Sequence, residues 1–306
     1  RPTGPSTVPP MADAFEDAAA GGVVDLMIGV PSPTAEQADK YRKYLAQVHD
    51  RESREDFTFP AQYMFKNVPE FADLSDPVRT LIDEMDAHNI RIGMLNVSTS
   101  LDARRALAEY PDRFIASWDV DPNRGMEAVR EVEQAVEQLG VKSVQVFPAG
   151  LTPQVDIDDK KMYPLYAKCV ELDIPIFVNA GVPGPRVPME CQNVARIDEV
   201  CWYFPDLTFV TRHGCEPWTE LAVKLLLKWP NLYYSTSAFA PKYYPSDIVE
   251  YANTRGADKV LYAGYYPAGL TLDRIFDELP KVPFRDHVWP KFLRDNALRL
   301  FGMETA

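Results

Sequence analysis

The sequence predicts an α/β fold, a (β/α)8 TIM barrel of eight parallel strands with a helix after each, and three observations carry that expectation. Short apolar runs alternate with helical periodicity eight times along the chain. A length of 306 residues suits the roughly 250 residues of such a barrel plus one insertion. The turn after the first run, GVPSP, is a poor match to the glycine-rich phosphate turn of an open doubly wound sheet.

Residues 1–21, with Pro2, Pro5, Pro9 and Pro10, read as a mobile leader, and 22–306 as a single barrel domain. The first strand is VVDLMIGV, 23–30, an apolar run with one acid, Asp25. Residues 31–74 differ in composition. They hold a helix over 35–49, a charged turn RESRED and the aromatic run FTFPAQYMF. They read as an insertion at the carboxyl end of the first strand. Its Phe57, Phe59, Tyr63 and Phe65 either roof a pocket, meet a second subunit of a homodimer, or simply pack.

From Pro77 the chain is regular. A helix over 78–88, capped by Asp76, leads to a strand over 90–97. A helix over 101–109, closed by Pro111, precedes a strand over 114–120. The long helix 125–139 stops at Gly140 and hands over to a strand over 141–147. Helix 158–172 and strand 174–179 follow, then the loop GVPGPRVP. Helix 192–203, strand 207–213, helix 217–228 and strand 232–237 continue the alternation. Helix 246–253, strand 260–263 and helix 272–279 complete it, and a C-terminal helix spans 289–301.

The net charge of −13 argues against nucleic acid as a partner, because phosphate repels an acidic surface. No apolar run approaches the ~20 residues of a membrane span, and the N-terminus has no apolar signal core. Cys169, Cys191, Cys201 and Cys215 lack CxxC spacing and read as reduced thiols of a cytoplasmic protein.

The stretch LTFVTRHGCEPWTE, 207–220, runs an apolar strand into Arg212, His213 and Gly214 and then into a helix. In parallel α/β folds chemistry sits at the carboxyl ends of strands. His213 is one of four histidines. It either serves chemistry there or only hydrogen-bonds at the strand end.

Several phrases resemble the amidohydrolase-related family, typified by aminocarboxymuconate-semialdehyde decarboxylase. LTFVTRHGCEPWTEL is similar to its sixth-strand signature, PIFVNAG to its fifth, KVLYAGYYP to its eighth, and DNALRLFGM to its C-terminal helix. VVDLMIGV stands where the family has its first-strand motif. The resemblance spans about 22–303 and implies a metal-dependent-hydrolase-like barrel. It also implies a divalent metal held by Asp-x-His-x-His on the first strand, a histidine on the fifth, one on the sixth and an aspartate on the eighth. Here the matching residues are Asp25, Met27 and Gly29, then Asn179, His213 and Tyr265.

Zinc needs three or four good donors. Met27 is a soft thioether, Gly29 has none and Asn179 offers a weak amide oxygen. The family metal is therefore expected to be absent, and no cofactor is expected. A histidine base supplies one of the metal's roles, and cations or hydrogen-bond donors supply the other. His213 is the expected acid/base, oriented by Glu216 or Asp121. Tyr265 is a phenol donor or filler for the vacated space. Asn179 and Gln145 serve the ligand or buried backbone. Arg186 clamps a carboxylate, while Arg212, alternating with His213, points away from the barrel axis. Lys242 is a second candidate cation. Met27 fills core volume, Gly29 makes room for the ligand, and Cys215 is a weak candidate thiolate.

The expected function is metal-independent hydrolysis, or carbon–carbon cleavage of decarboxylase or lyase type, on a small carboxylic acid or its thioester. The alternatives are a non-catalytic barrel serving as a binding or scaffold subunit, and a metal-dependent hydrolase with non-standard ligands. An open cavity holding His213 and Tyr265 favours an enzyme; a plugged, apolar barrel mouth favours a scaffold.

Overall fold

The computed structural model describes residues 11–303 other than 56 and 73, with side chains from residue 14 onward. Residues 1–10 of the expected leader lie outside the described residues. The remainder of that leader forms helix α1 (Met11–Ala20). Its Phe15 is buried against Trp289, with ring centroids 5.0 Å apart. Asn89 Nδ2 donates to the carbonyls of Ala19 and Ala20, which satisfies the helix end.

Strand β1 (Val23–Asp25) follows, then the insertion with helices α2 (Thr34–Tyr41) and α3 (Arg51–Glu55). The barrel continues with α4 (Pro77–Ala87), β2 (Ile90–Asn96), α5 (Leu101–Glu109), β3 (Phe114–Asp119), α6 (Met126–Leu139) and β4 (Ser143–Val146). Next come α7 (Tyr163–Leu172), β5 (Ile176–Asn179), α8 (Ile197–Tyr203), β6 (Phe209–Arg212), α9 (Thr219–Lys228) and β7 (Leu232–Ser235). The chain ends with α10 (Ser246–Thr254), β8 (Val260–Leu261), α11 (Leu272–Glu278) and α12 (Asn296–Leu300). The eight strands pair in chain order, all parallel. This is the (β/α)8 architecture that the alternation predicts.

Local signals explain several boundaries. The Asp76 carboxylate accepts from Arg79 N at the start of α4. Gly140 ends α6 at φ 62°, where a side chain would be strained. The expected C-terminal helix divides into a π-helical turn, Lys291–Asp295, and α12.

Closure between the last strand and the first does not come from a long ladder. Ile28 and Tyr266 form an isolated parallel bridge, and Gly29 N donates to Tyr266 O at 2.9 Å. A Cβ on Gly29 would sit 3.2 Å from Pro267 Cδ, so the glycine permits this close approach. Asp25 staples the seam from the outer side. Its Oδ1 accepts from Met27 N at 2.9 Å and from Gly264 N at 2.8 Å.

Inside the barrel, Val24, Leu26, Met94, Ile115, Phe177 and Val210 form one apolar cluster. Ala297 and Leu298 of α12 pack into it, and Phe301 stacks on Phe177 at 6.4 Å. The C-terminal helix therefore plugs the end opposite the strand carboxyl ends. Among the described residues, no helix is long and apolar enough to cross a membrane.

Candidate active site

The strand carboxyl ends surround a cavity of about 1010 Å³. The insertion supplies its roof. Phe59 and Phe65 pack on the Tyr265 ring at 5.8 and 5.4 Å. Tyr41 meets Phe59 at 5.8 Å, and Tyr44 meets Phe147 at 5.5 Å. Phe57 and Tyr63 lie outside the cavity wall. The Tyr63 hydroxyl instead donates to Gly184 O at 2.7 Å.

Of the residues singled out by sequence, His213, Tyr265, Asn179, Gln145, Glu216, Met27, Gly29 and Lys242 line this cavity. Arg186 and Asp121 do not. Arg186 pairs with Asp50 at 2.7 Å and Glu52 at 3.0 Å, and its guanidinium lies over the Tyr63 ring at 4.4 Å. It ties the loop after β5 to the insertion. The Asp121 carboxylate accepts from Asn123 N at 2.9 Å and caps a short 3-10 turn. It is spent on its own backbone and does not orient His213.

The residue that orients His213 is Ser237, which sequence reasoning missed. His213 N donates to Ser237 Oγ at 3.0 Å, and Nδ1 lies 2.9 Å from the same oxygen. Glu216 makes no hydrogen bond to the imidazole among the described residues; it sits exposed at the rim. Three successive residues, His213, Gly214 and Cys215, take φ values of 65°, 93° and 63°. A histidine in this left-handed region is uncommon, and the two contacts to Ser237 hold it there. Nε2 is the ring nitrogen left for a ligand. Burial, and then repulsion from Arg212, holds the imidazole well below its usual pKa. His213 is therefore neutral at pH 7.

The Tyr265 ring meets the imidazole edge-on, with centroids 5.7 Å apart. Burial pushes its phenol far above its usual pKa, so it stays a proton-bearing donor. His213 and Tyr265 both line the cavity. Asn179 is 4% exposed and its Oδ1 has no hydrogen-bond partner. Cys215 is fully buried and its thiol is pushed up to about 12, which removes it as a thiolate.

Arg212 does not point away from the barrel, contrary to expectation. Val210 faces inward, and two residues on so does Arg212, where β6 ends. Its Nη1 donates to Gln145 Oε1 at 3.0 Å, and its Nη2 lies 3.3 Å from Met27 Sδ. Gln145 Nε2 in turn donates to Ser117 Oγ at 2.7 Å, and Ser117 Oγ to Leu95 O at 3.0 Å. Asp119, at the end of β3, faces the same cavity without an ion pair to Arg212.

This barrel, with its mouth at the strand ends, defines a class, and the sequence match defines the family. The chain belongs to the amidohydrolase family, whose profile matches residues 33–303. Solved structures with the same fold include an uncharacterized TIM-barrel protein from Bordetella bronchiseptica. It is 24% identical, with a TM-score of 0.71 over 92% of this chain and 98% of that one. A 5-carboxyvanillate decarboxylase from Novosphingobium aromaticivorans, complexed with manganese and 4-hydroxy-3-methoxy-5-nitrobenzoic acid, is 18% identical. Its TM-score is 0.65 over 92% of this chain and 96% of that one. A 4-oxalomesaconate hydratase from Rhodopseudomonas palustris is 15% identical, with a TM-score of 0.58 over 92% and 95%. No curated protein matches the chain.

The residues of this mouth do not fit a divalent ion. Among the described residues, no group of three or more His, Cys, Asp or Glu is placed to hold one. The family's donor positions carry Met27, Gly29, Asn179, His213 and Tyr265, and a guanidinium already contacts the thioether of Met27. A second positive charge brought beside Arg212 would be repelled, and one imidazole is too little to hold it.

Proposed function

We propose that this protein is a metal-independent hydrolase of a small carboxylic acid or its thioester. The observation that carries the reading is the convergence of a neutral His213, the Tyr265 phenol and the Arg212 guanidinium on one open cavity. An open, largely apolar mouth with a few convergent polar groups is what an enzyme needs and what a plugged scaffold barrel lacks.

His213 Nε2 takes a proton from water as the water oxygen adds to a carbonyl carbon. The carbonyl oxygen gains the negative charge, and the Tyr265 hydroxyl donates to it. Collapse of that intermediate expels the alcohol, thiol or carbon leaving group, which recovers the proton from the imidazolium. Arg212 holds charge in place without taking part in proton transfer. A histidine held neutral at pH 7 is present in the form that accepts the water proton, and the imidazolium it becomes gives that proton up readily to the leaving group. Hydrolytic cleavage is favoured over simple decarboxylation because the former starts from a neutral histidine, whereas the latter starts from an acid that already carries its proton.

The test is turnover on a panel of carboxylates and acyl thioesters, with and without chelator. Activity that survives chelation and disappears in His213→Ala, with the variant still folded, supports the reading. Chelator-sensitive turnover with one bound zinc per chain overturns the metal-free part, and an active His213→Ala variant removes the base. The pH profile adds a check. Because the imidazole stays neutral, kcat/KM should hold as pH falls through 6.5 rather than drop there.

A further inference from the structure

We infer that Arg212 is a preorganised carboxylate-binding subsite, the floor on which the ligand's anionic group rests. The inference uses the reading of the cavity as a ligand site but does not require turnover.

The first support is hydrogen-bond accounting. An arginine side chain has five N–H donors, and among the described residues one of Arg212's reaches an oxygen while another reaches only a sulfur. Arg212 is 8% exposed, and no carboxylate among the described residues is within ion-pairing distance of it. Asp119, across the same cavity, attracts Arg212 without forming a salt bridge, and burying a guanidinium without a direct ion pair is costly. Burial lowers its pKa against the opposing attraction of Asp119, whereas direct ion pairing raises that of Arg105, Arg124 and Arg186 at the surface.

The second support is independent. Asn179 lines the same cavity, is more than nine-tenths buried, and leaves Oδ1 without a partner. Two unfinished polar groups in one cavity point to a ligand that completes them.

The third is charge distribution. The cavity wall carries Lys40, Lys66, Arg212, Lys242 and Arg274 against Asp119 and Glu216, in a chain whose net charge is −13. Arg274 is paired with Glu278 at 3.0 Å, and even without it cations outnumber acids. A cleft with an excess of cations in an acidic protein draws anions inward.

The geometry is rigid as well as charged. The chain Leu95–Ser117–Gln145–Arg212 fixes the guanidinium by successive hydrogen bonds. The free edge of the fork suits a planar carboxylate. Tyr41, Tyr44, Phe59 and Phe65 offer a flat, apolar body above it. The ligand class is a carboxylate on a flat or apolar skeleton.

The experiment is equilibrium binding by calorimetry of benzoate and its neutral isostere benzamide, to the intact protein and to Arg212→Gln and His213→Ala. Benzoate should bind saturably and at least about tenfold more tightly than benzamide, as expected for a hydrogen bond to a charged group. Arg212→Gln should erase that preference, and His213→Ala should keep it. Thermal unfolding of ligand-free Arg212→Gln should show a melting temperature equal to or above that of the parent, because an unpaired buried charge is removed. Equal binding of the two probes, no benzoate binding, undiminished binding by Arg212→Gln, or a lower melting temperature for that variant overturns the subsite. Benzoate binding that depends on Arg212 in a protein inert on every thioester and carboxylate would uphold the subsite and sink the hydrolase reading.

Discussion

Replacing Asp25 by asparagine isolates the cost of a buried charge at the barrel seam. Asp25 is 0% exposed. Its Oδ1 receives two backbone N–H groups, while Oδ2 lies beside the Tyr262 hydroxyl with no hydrogen bond. Burial raises its pKa from 3.8 to about 6, against the opposing pull of the bonds from Gly264 and Met27. A carboxyl with a raised folded-state pKa contributes stability that is fully present below 3.8 and is lost as pH rises through 6. The gap corresponds to about 3 kcal/mol at 1.36 kcal/mol per pKa unit, and about 2 kcal/mol of it falls between about pH 8 and pH 4.5. Asp25→Asn keeps an acceptor for both N–H groups and removes the titration. Urea unfolding of the two proteins at both pH values is the assay. The stability of the variant relative to the parent should be higher at pH 8 than at pH 4.5 by about 2 kcal/mol. A difference that does not change with pH would refute the assignment. Asp25→Ala removes the same titration and also leaves two backbone donors unsatisfied, so its cost should be about 2 kcal/mol larger at pH 4.5 than at pH 8.

Three further outcomes are expected. Ser237→Ala frees the His213 ring and should lower kcat by roughly 10–100-fold with little change in KM; unchanged kcat would mean that the imidazole holds its own place. Arg186→Ala breaks only partly exposed pairs, so the unfolding midpoint should hardly move. Limited proteolysis within 50–58 should nevertheless speed up, and an unchanged cleavage rate would show that Arg186 does not anchor the insertion. Phe15→Ala should cost about 3 kcal/mol in chemical denaturation, and a negligible loss would mean that α1 is not part of the core.

The barrel was readable because each strand is a short apolar run and each helix has a clear period. Reading failed where the strands stop. Alternation put His213 inward and therefore Arg212 outward. That logic holds only while the backbone stays extended. β6 ends at Arg212, and the left-handed turn that starts at His213 brings the imidazole over the same cavity that Arg212 already faces. Asp121 lies beyond the end of β3 and its carboxylate caps a turn, whereas Asp119, the last residue of that strand, is the carboxylate that lines the cavity. Ser237 carried a faint signal. Three small hydroxyl residues, Ser235, Thr236 and Ser237, follow one another at the end of β7, and all are buried. Arg186 looked free because its partners, Asp50 and Glu52, are more than a hundred positions away in the chain. Within the expected leader, residues 11–20 form a helix, and the prolines ahead of them concealed the helical run MADAFEDAAA.

The roof over Tyr265 has an evolutionary consequence. Much of the wall that would select a substrate's body is carried on the excursion between β1 and α4, whereas the groups assigned to chemistry sit at or just past the strand ends. Tyr41, Tyr44, Phe59 and Phe65 can thus be exchanged, or the excursion lengthened, without disturbing the hydrogen-bonded lattice that fixes Arg212. Preference and reactivity are in this way inherited on separate stretches of one gene product, and a lineage can retune the first while conserving the second.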